Sequence, residues 1–246
     1  MMFPFAGPKR DVEQVAGGGR IVMFSGRGVG ARVQGVFAAA AISISEQETR
    51  DAAANIMTSC PGGNLACLVR LTAKTIWSRA DYDPDEGRTE GRGSQTDIFR
   101  SFRRLTSSRS YDCDCAVASS TALWTLVGID AYARVIEQYD RAEGIWAWTH
   151  IWPRAALAGS RAMMGLELTP VPPDHHRAEP GWETTSYRRA LDFRFVPSTW
   201  RAWLARCDLE HGVLAKFPSV RSEPHACSGC GQCDGHCGNH AALTQP

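Results

Sequence analysis

Apolar and polar positions mark out one helix more sharply than any other element. Tyr111 to Ile129 reads YDCDCAVASSTALWTLVGI, where Ala116, Val117, Ala118, Leu123, Leu126 and Val127 run into a Gly-Ile stop. That is the pattern of a buried helix with Gly128 near its C-terminus. Downstream, Tyr132 to Tyr139 (YARVIEQY) predicts a strand and Asp140 to Gly144 a turn. Ile145 to Trp152 (IWAWTHIW) alternates as a second strand, with His150 on the same face as Trp146, Trp148 and Trp152. A helix against an antiparallel sheet is the layered α+β arrangement.

Upstream, residues 1–19 are rich in Pro, Gly and charge and predict a loose arm. Arg20 to Ser25 predicts a short strand. Gly26-Arg27-Gly28-Val29-Gly30 invites a phosphate-loop reading, but it lacks the Gly-Lys-Ser/Thr ending and the Rossmann spacing, so a plain turn is expected. Ala41-Ile42-Ser43-Ile44 alternates like a strand end, after which Ser45 and Glu48 form a capping box for a helix to about Met57. Pro61-Gly62-Gly63 breaks that helix, and Asn64 caps another carrying Leu65, Leu68, Leu71, Ile76 and Trp77. Cys60 reads as a loop thiol and Cys67 as a small apolar core residue. Asp81 to Gln95 turns polar; its Asp83-Pro84-Asp85-Glu86-Gly87 lacks the regular oxygen ligands of a calcium loop and reads as a solvated loop. Phe99, Phe102 and Leu105 recur at three-residue spacing among Arg100, Arg103 and Arg104, an amphipathic turn of helix with a charged outer face.

Beyond the paired strands, Pro170 to Pro180 predicts a loop whose adjacent His175 and His176 point to opposite sides of an extended chain and share no ion easily. Ser198 caps a last amphipathic helix with Trp200, Trp203, Leu204 and Cys207, and Lys216 to Pro224 reads as a linker. The tail, residues 227–246, opens with Cys227, Cys230, Cys233 and Cys237 in the spacing C-x2-C-x2-C-x3-C among glycines. Four thiolates so close in sequence can converge on one ion or cluster, the alternative being a flexible Cys-rich tail that binds nothing in particular. The spacing matches a ferredoxin run, yet Gly238 stands where proline is usual and no second run exists, so a structural zinc knuckle needs fewer assumptions than an iron–sulfur cluster; His225, His236 or His240 is an alternative ligand to one thiol.

Composition narrows the partners. In 246 residues, 27 basic and 26 acidic side chains leave a net charge of +1, which argues against nucleic acid or an anionic membrane as partner. Apolar residues at 43% suit a folded core. The longest apolar run, Val36 to Ile44, is too short to span a bilayer, and the N-terminus lacks the features of a secretory leader. A cytoplasmic address is therefore expected. Nine cysteines, an odd count bunched toward the end, read as thiols kept for chemistry or metal rather than as a disulfide framework.

The chemistry centres on Cys113. A thiol at a helix start meets unpaired N–H groups and the positive end of the helix dipole, which favour its ionised form. Asp112 and Asp114 oppose this unless they cap the helix or point away. A helix-borne cysteine followed by a strand-borne histidine, His150, is the order of papain-type thiol enzymes. These residues resemble the transglutaminase-like members of the papain-like superfamily, particularly the short form of phage and prophage genomes, marked by Gly-Asp-Cys-Asp-Asp opening a helix that ends in Leu-Gly-Ile. Here stand Tyr111-Asp112-Cys113-Asp114-Cys115 and Val127-Gly128-Ile129. His150 falls where that family has a histidine beginning a strand, and Leu166-Glu167-Leu168-Thr169-Pro170 sits where it has Leu-Asp-Pro-Thr. Thr96 to Leu105 is similar to a stretch that precedes the cysteine in the phage-type relatives. The resemblance spans roughly residues 20–175, with Tyr111, Cys115, Val117 and Glu167 as departures.

The resemblance implies a papain-like/transglutaminase-like core over residues 20–215, with 216–226 as linker. It implies a Cys113–His150–Glu167 triad for acyl transfer, by hydrolysis of an amide or by transamidation, on a peptide or protein substrate and without a catalytic cofactor. The alternative keeps the fold and drops catalysis, leaving a binding or assembly module for a virion or host protein with a metal-stabilised tail. A metal site built on Cys113 and Cys115 is disfavoured, since that spacing at a helix start splays the thiols.

Overall fold

The computed structural model describes residues 10–14, 19–24, 28–83, 97–140, 144–157, 163–166, 168 and 187–223. In chain order these form β1 (Arg10–Gln14), β2 (Arg20–Phe24), α1 (Val29–Ser45), α2 (Gln47–Ser59), α3 (Leu65–Trp77), β3 (Asp81–Tyr82), β4 (Asp97–Arg100), α4 (Phe102–Ser108), β5 (Ser110–Tyr111), α5 (Cys113–Leu126), β6 (Asp130–Asp140), β7 (Ile145–Ala156), β8 (Met163–Gly165), β9 (Arg189–Arg194), α6 (Pro197–Leu204) and β10 (Ser222–Glu223). The class is α+β. Among the described residues one antiparallel sheet runs β10-β9-β6-β7-β8, a second runs β1-β2-β4, and β3 and β5 pair in parallel. No described helix is long and apolar enough to cross a membrane.

The helix read from Tyr111 to Ile129 forms as α5 and is buried on nearly all sides. Gly128 takes φ +80° just past its end, the left-handed conformation that a side chain would resist, and Ile129 N–H reaches back to the Trp124 carbonyl at 3.0 Å. Trp124 Nε1 donates to Thr72 Oγ1 of α3 at 3.0 Å, so its polar edge is satisfied inside the core. α1 packs along α5, and both are rich in small residues, with buried Ala38 to Ala41 in α1 and several Ala and Ser in α5.

Several expectations move. The segment Ala41–Ile44 is not a strand end but the last turn of α1; buried Ser43 donates its hydroxyl to the Ala39 carbonyl at 2.8 Å, and an alanine-rich helix buried all round overrides two residues of alternation. The capping box at Ser45 and Glu48 does not form. Glu46 occupies the N-cap of α2 without a side-chain cap, Ser45 Oγ instead donates to the Ile42 carbonyl at 2.6 Å, and Ser101 Oγ donates to Glu46 at 2.9 Å. Asn64 caps α3 as expected, accepting from Cys67 N–H at 3.1 Å. Cys60 and Cys67 are neither a loop thiol nor a plain core residue: they form a disulfide across the α2–α3 turn.

Phe99 belongs to strand β4, while Phe102 and Leu105 lie on α4, whose cap is Ser101. All three are fully buried. Val196, not Ser198, precedes α6, with Pro197 in its first turn. The expected linker is anchored as far as Glu223. Phe217 stacks edge-on to Trp203 at 5.5 Å in a cluster with Phe37, Phe195 and Trp200, and Ser222–Glu223 pairs with β9.

Gly35 in α1 admits Phe99 so closely that a Cβ there would lie 2.0 Å from the ring. Replacing it with alanine improves helix propensity by about 1 kcal/mol, but forcing buried rings apart costs typically 1–3 kcal/mol. Gly35→Ala is therefore expected to lower the midpoint of urea unfolding, and an unchanged or raised midpoint would show that β4 yields freely.

Candidate active site

Cys113 opens α5 because Asp112 caps it: the Asp112 carboxylate accepts from the Cys115 N–H at 2.8 Å. The buried Cys115 thiol also lies against the Asp112 carboxyl, so it serves the cap. Asp114 does not cap. It points to α1, where Arg32 Nε and Nη2 grip its two oxygens at 2.8 and 3.0 Å. The same Nη2 lies 3.3 Å from Cys113 Sγ. The backbone N–H of Ile151 on β7 also faces the sulfur and favours its ionised form.

That last contact brings the predicted partners together at the level of the chain. The peptide that carries this N–H joins His150 to Ile151, so the sulfur sits beside the strand at the predicted histidine. Glu167 lies outside the described residues, but its neighbours are placed. Leu166 N–H donates to the Pro153 carbonyl of β7 at 3.1 Å, and the Leu168 carbonyl accepts from the buried Tyr111 hydroxyl at 2.8 Å. The three segments that carry Cys113, His150 and Glu167 thus meet at the first turn of α5.

The faces of β7 depart from the strict alternation read in the sequence. Ile136 of β6 pairs with His150, but the next residue, Glu137, pairs with Trp148, which leaves Thr149 as a β-bulge. Paired residues share a face and successive residues alternate, so Trp148 and His150 leave β7 on opposite faces. Trp148 packs on the main core with Val135 and Ile151. His150 joins Trp152, with ring centroids 5.9 Å apart, and Trp152 in turn meets Tyr187. That second face carries a buried ion pair: Arg134 holds Asp192 through two hydrogen bonds of 2.8 Å, with Arg154 adding a third at 3.2 Å.

The electrostatics at the sulfur reverse the expectation from the helix start. Burial pushes the Cys113 thiol up, Asp114 and Asp112 add to this, and Arg32 with the Ile151 N–H pulls back without restoring it. The balance favours the protonated thiol. Burial also raises the Asp112 carboxyl, to about 6, with Asp114 adding to it and the Cys115 hydrogen bonds opposing. Capping, expected for the aspartates flanking Cys113, is met by Asp112 alone, whereas Arg32 was not singled out in the sequence. No local signal marks Arg32, which lies 81 positions before the sulfur, whereas an aspartate three residues before a helix N–H is a readable cap.

His175 and His176, the acidic loop from Pro84 onward, and Cys227, Cys230, Cys233 and Cys237 lie outside the described residues. No family model matches the chain, and no curated protein matches it.

The raised Asp112 carboxyl makes stability depend on pH in a definite sense. An unfolded aspartate has a pKa of about 3.9, so between about 4 and 6 the native state holds a proton that the unfolded chain has lost. Its contribution is full below that window and disappears as pH rises through about 6. Asp112→Asn keeps a competent N-cap and removes the titration. Relative to this variant, the wild type is expected to lose stability between pH 4 and 6 in urea titrations at several pH values, and parallel profiles would contradict the assignment.

Proposed function

We propose that the chain is a cysteine-dependent acyl-transfer enzyme with a papain-like, transglutaminase-like core. Cys113 is the nucleophile, His150 the base and acid, and Glu167 the carboxylate that orients the imidazole. The observation that carries this reading is the placing of the Ile151 N–H, in the peptide that joins it to His150, against Cys113 Sγ, with Leu168 tied to Tyr111 alongside. Proximity of sulfur and strand supplies the positional half of catalysis. The bulge at Thr149 supplies local twist beside His150, and bulges re-aim side chains at strand edges. In the reaction His150 swings past its own strand toward the sulfur and takes the thiol proton. The sulfur attacks a carbonyl carbon, and N–H groups at the start of α5 stabilise the oxyanion. Protonation of the leaving amine by the imidazolium yields a thioester, which water or an acceptor amine then resolves.

The opposite facing of His150 and Trp148, together with the protonated resting thiol, favours the second reading, a module of the same fold that binds a partner without turnover. Acylation separates the two. With p-nitrophenyl acetate, peptide mapping is expected to find the acetyl group on Cys113 well before Cys207, and His150→Ala is expected to slow this by roughly 10²–10⁴-fold. Equal slow modification of both thiols would leave the binding module. Adding a primary amine then divides transamidation from hydrolysis by the product formed.

The tail is read in the same proposal as a structural zinc knuckle built from Cys227, Cys230, Cys233 and Cys237. Elemental analysis of chelator-free protein is expected to find about one zinc per chain, as a single four-cysteine site holds, with loss in the Cys230→Ser/Cys233→Ser variant. Iron with labile sulfide, or no metal at all, would overturn this.

A further inference from the structure

The proposed chemistry leaves one strong group at the site unused. Arg32 reaches across from the start of α1, and its guanidinium serves both the carboxylate and the sulfur: Nε and Nη2 hold Asp114, while Nη2 also touches Cys113 Sγ at 3.3 Å. The Arg32–Asp114 pair is largely buried, with side-chain exposures of 21% and 11%, so its charges are screened little by solvent. A guanidinium remains charged at every working pH and presents its donors in a rigid fork. Such a group does not exchange protons with the thiol; it acts only as a fixed positive charge beside it.

We infer that Arg32 is a positioning residue for Cys113, a permanent counter-cation that Asp114 occupies in the resting state and the thiolate shares once the thiol has lost its proton. The inference rests on the reading of Cys113 as nucleophile and adds the device that sets its reactivity. The proton leaves to the His150 imidazole in catalysis and to water when a small electrophile is used. The new negative charge on sulfur then meets Nη2, which already lies within hydrogen-bonding distance, so no backbone movement is required. Asp114 has two effects that oppose each other: it holds the guanidinium in place, and its own charge works against a second anion 1 residue away. Its carboxylate therefore acts as a brake on the thiol, and Arg32 as the release.

Several groups around the sulfur carry or acquire charge. Asp112 and Asp114 stand on α5 itself, Arg32 on α1 and Tyr82 on β3, with His150 on β7 next to the Ile151 N–H. Arg100 of β4 lies near Cys115, two residues further along α5. Of these, Arg32 and Asp114 are the pair whose neutral replacements, singly and together, change the sign of the local field in a predictable order.

The test is the pH profile of Cys113 alkylation by iodoacetamide in the full chain, followed by peptide mapping, with His150→Ala as a second background to remove the imidazole from the titration. Asp114→Asn is expected to move the midpoint down and Arg32→Gln to move it up. Each shift is on the order of one pH unit or more, as for an opposite or like charge a few ångströms away. Below the midpoint, one unit is a tenfold change in rate. The double variant Arg32→Gln/Asp114→Asn is expected to return toward the wild-type profile, and Arg32→Lys, which keeps the charge, to lie between wild type and Arg32→Gln. Circular dichroism identifies any variant that fails to fold, and Arg32→Lys with Asp114→Asn keeps the comparison available in that case. Midpoints that coincide in folded variants would overturn the inference and leave Arg32 as a purely structural tie between α1 and α5. Failure of the acyl-transfer reading has a different signature: Cys113 would not acylate ahead of Cys207, whether or not the alkylation midpoints move.

Discussion

The docking of the first turn of α5 on the outer edge of β7 is the contact on which the candidate site depends. A helix start has N–H groups to spare and a strand edge has unpaired backbone groups, so neither is stable buried without a partner. Here each deficit is met locally. Asp112 caps the helix, the Ile151 N–H finds the Cys113 sulfur, and the Pro153 carbonyl takes the Leu166 N–H one step along the same edge. The nucleophile of the proposed reaction is held by the same bonds that complete the backbone of its neighbours.

Charge around the sulfur is arranged against easy ionisation. A half-buried thiol beside two carboxylates prefers its proton. The positive charge that restores balance comes from a different helix, through Arg32. Cys115 and Tyr111 are occupied structurally: one supports the cap and the other ties down Leu168, the residue after Glu167, by its hydroxyl. Buried polar groups persist where each has a partner, and these two do.

The large sheet has two unlike faces. Toward the helices it presents Ala131, Ala133, Val135, Ile151 and Ala155, small and apolar enough for α5 to lie close. On the other face Arg134, Asp192 and Arg154 form a buried network that bridges β6, β9 and β7. Removing one member of such a pair leaves an uncompensated buried charge, so the network specifies this strand order more than it stabilises it. The bulge at Thr149 is the place where β7 changes allegiance between the faces, and His150 stands next to it.

Local pattern determined the elements with the strongest periodicity: the helix around Cys113, the strands that became β6 and β7, the Asn64 cap and the α+β class. These depend on residues within a few positions of one another, where spacing reports directly which side is buried. Local pattern misled where a short signal met a larger context, as when the alternation at Ala41–Ile44 lay inside a buried alanine-rich helix and Phe99 turned out to occupy a strand. The Cys60–Cys67 bridge, the bulge that separates His150 from Trp148, and above all the meeting of Arg32 with Cys113 and Asp114 were decided by tertiary structure alone. A guanidinium and a sulfur 81 positions apart share no periodicity; packing of α1 along α5 brings them within 3.3 Å, and only that packing says which charge the thiol meets.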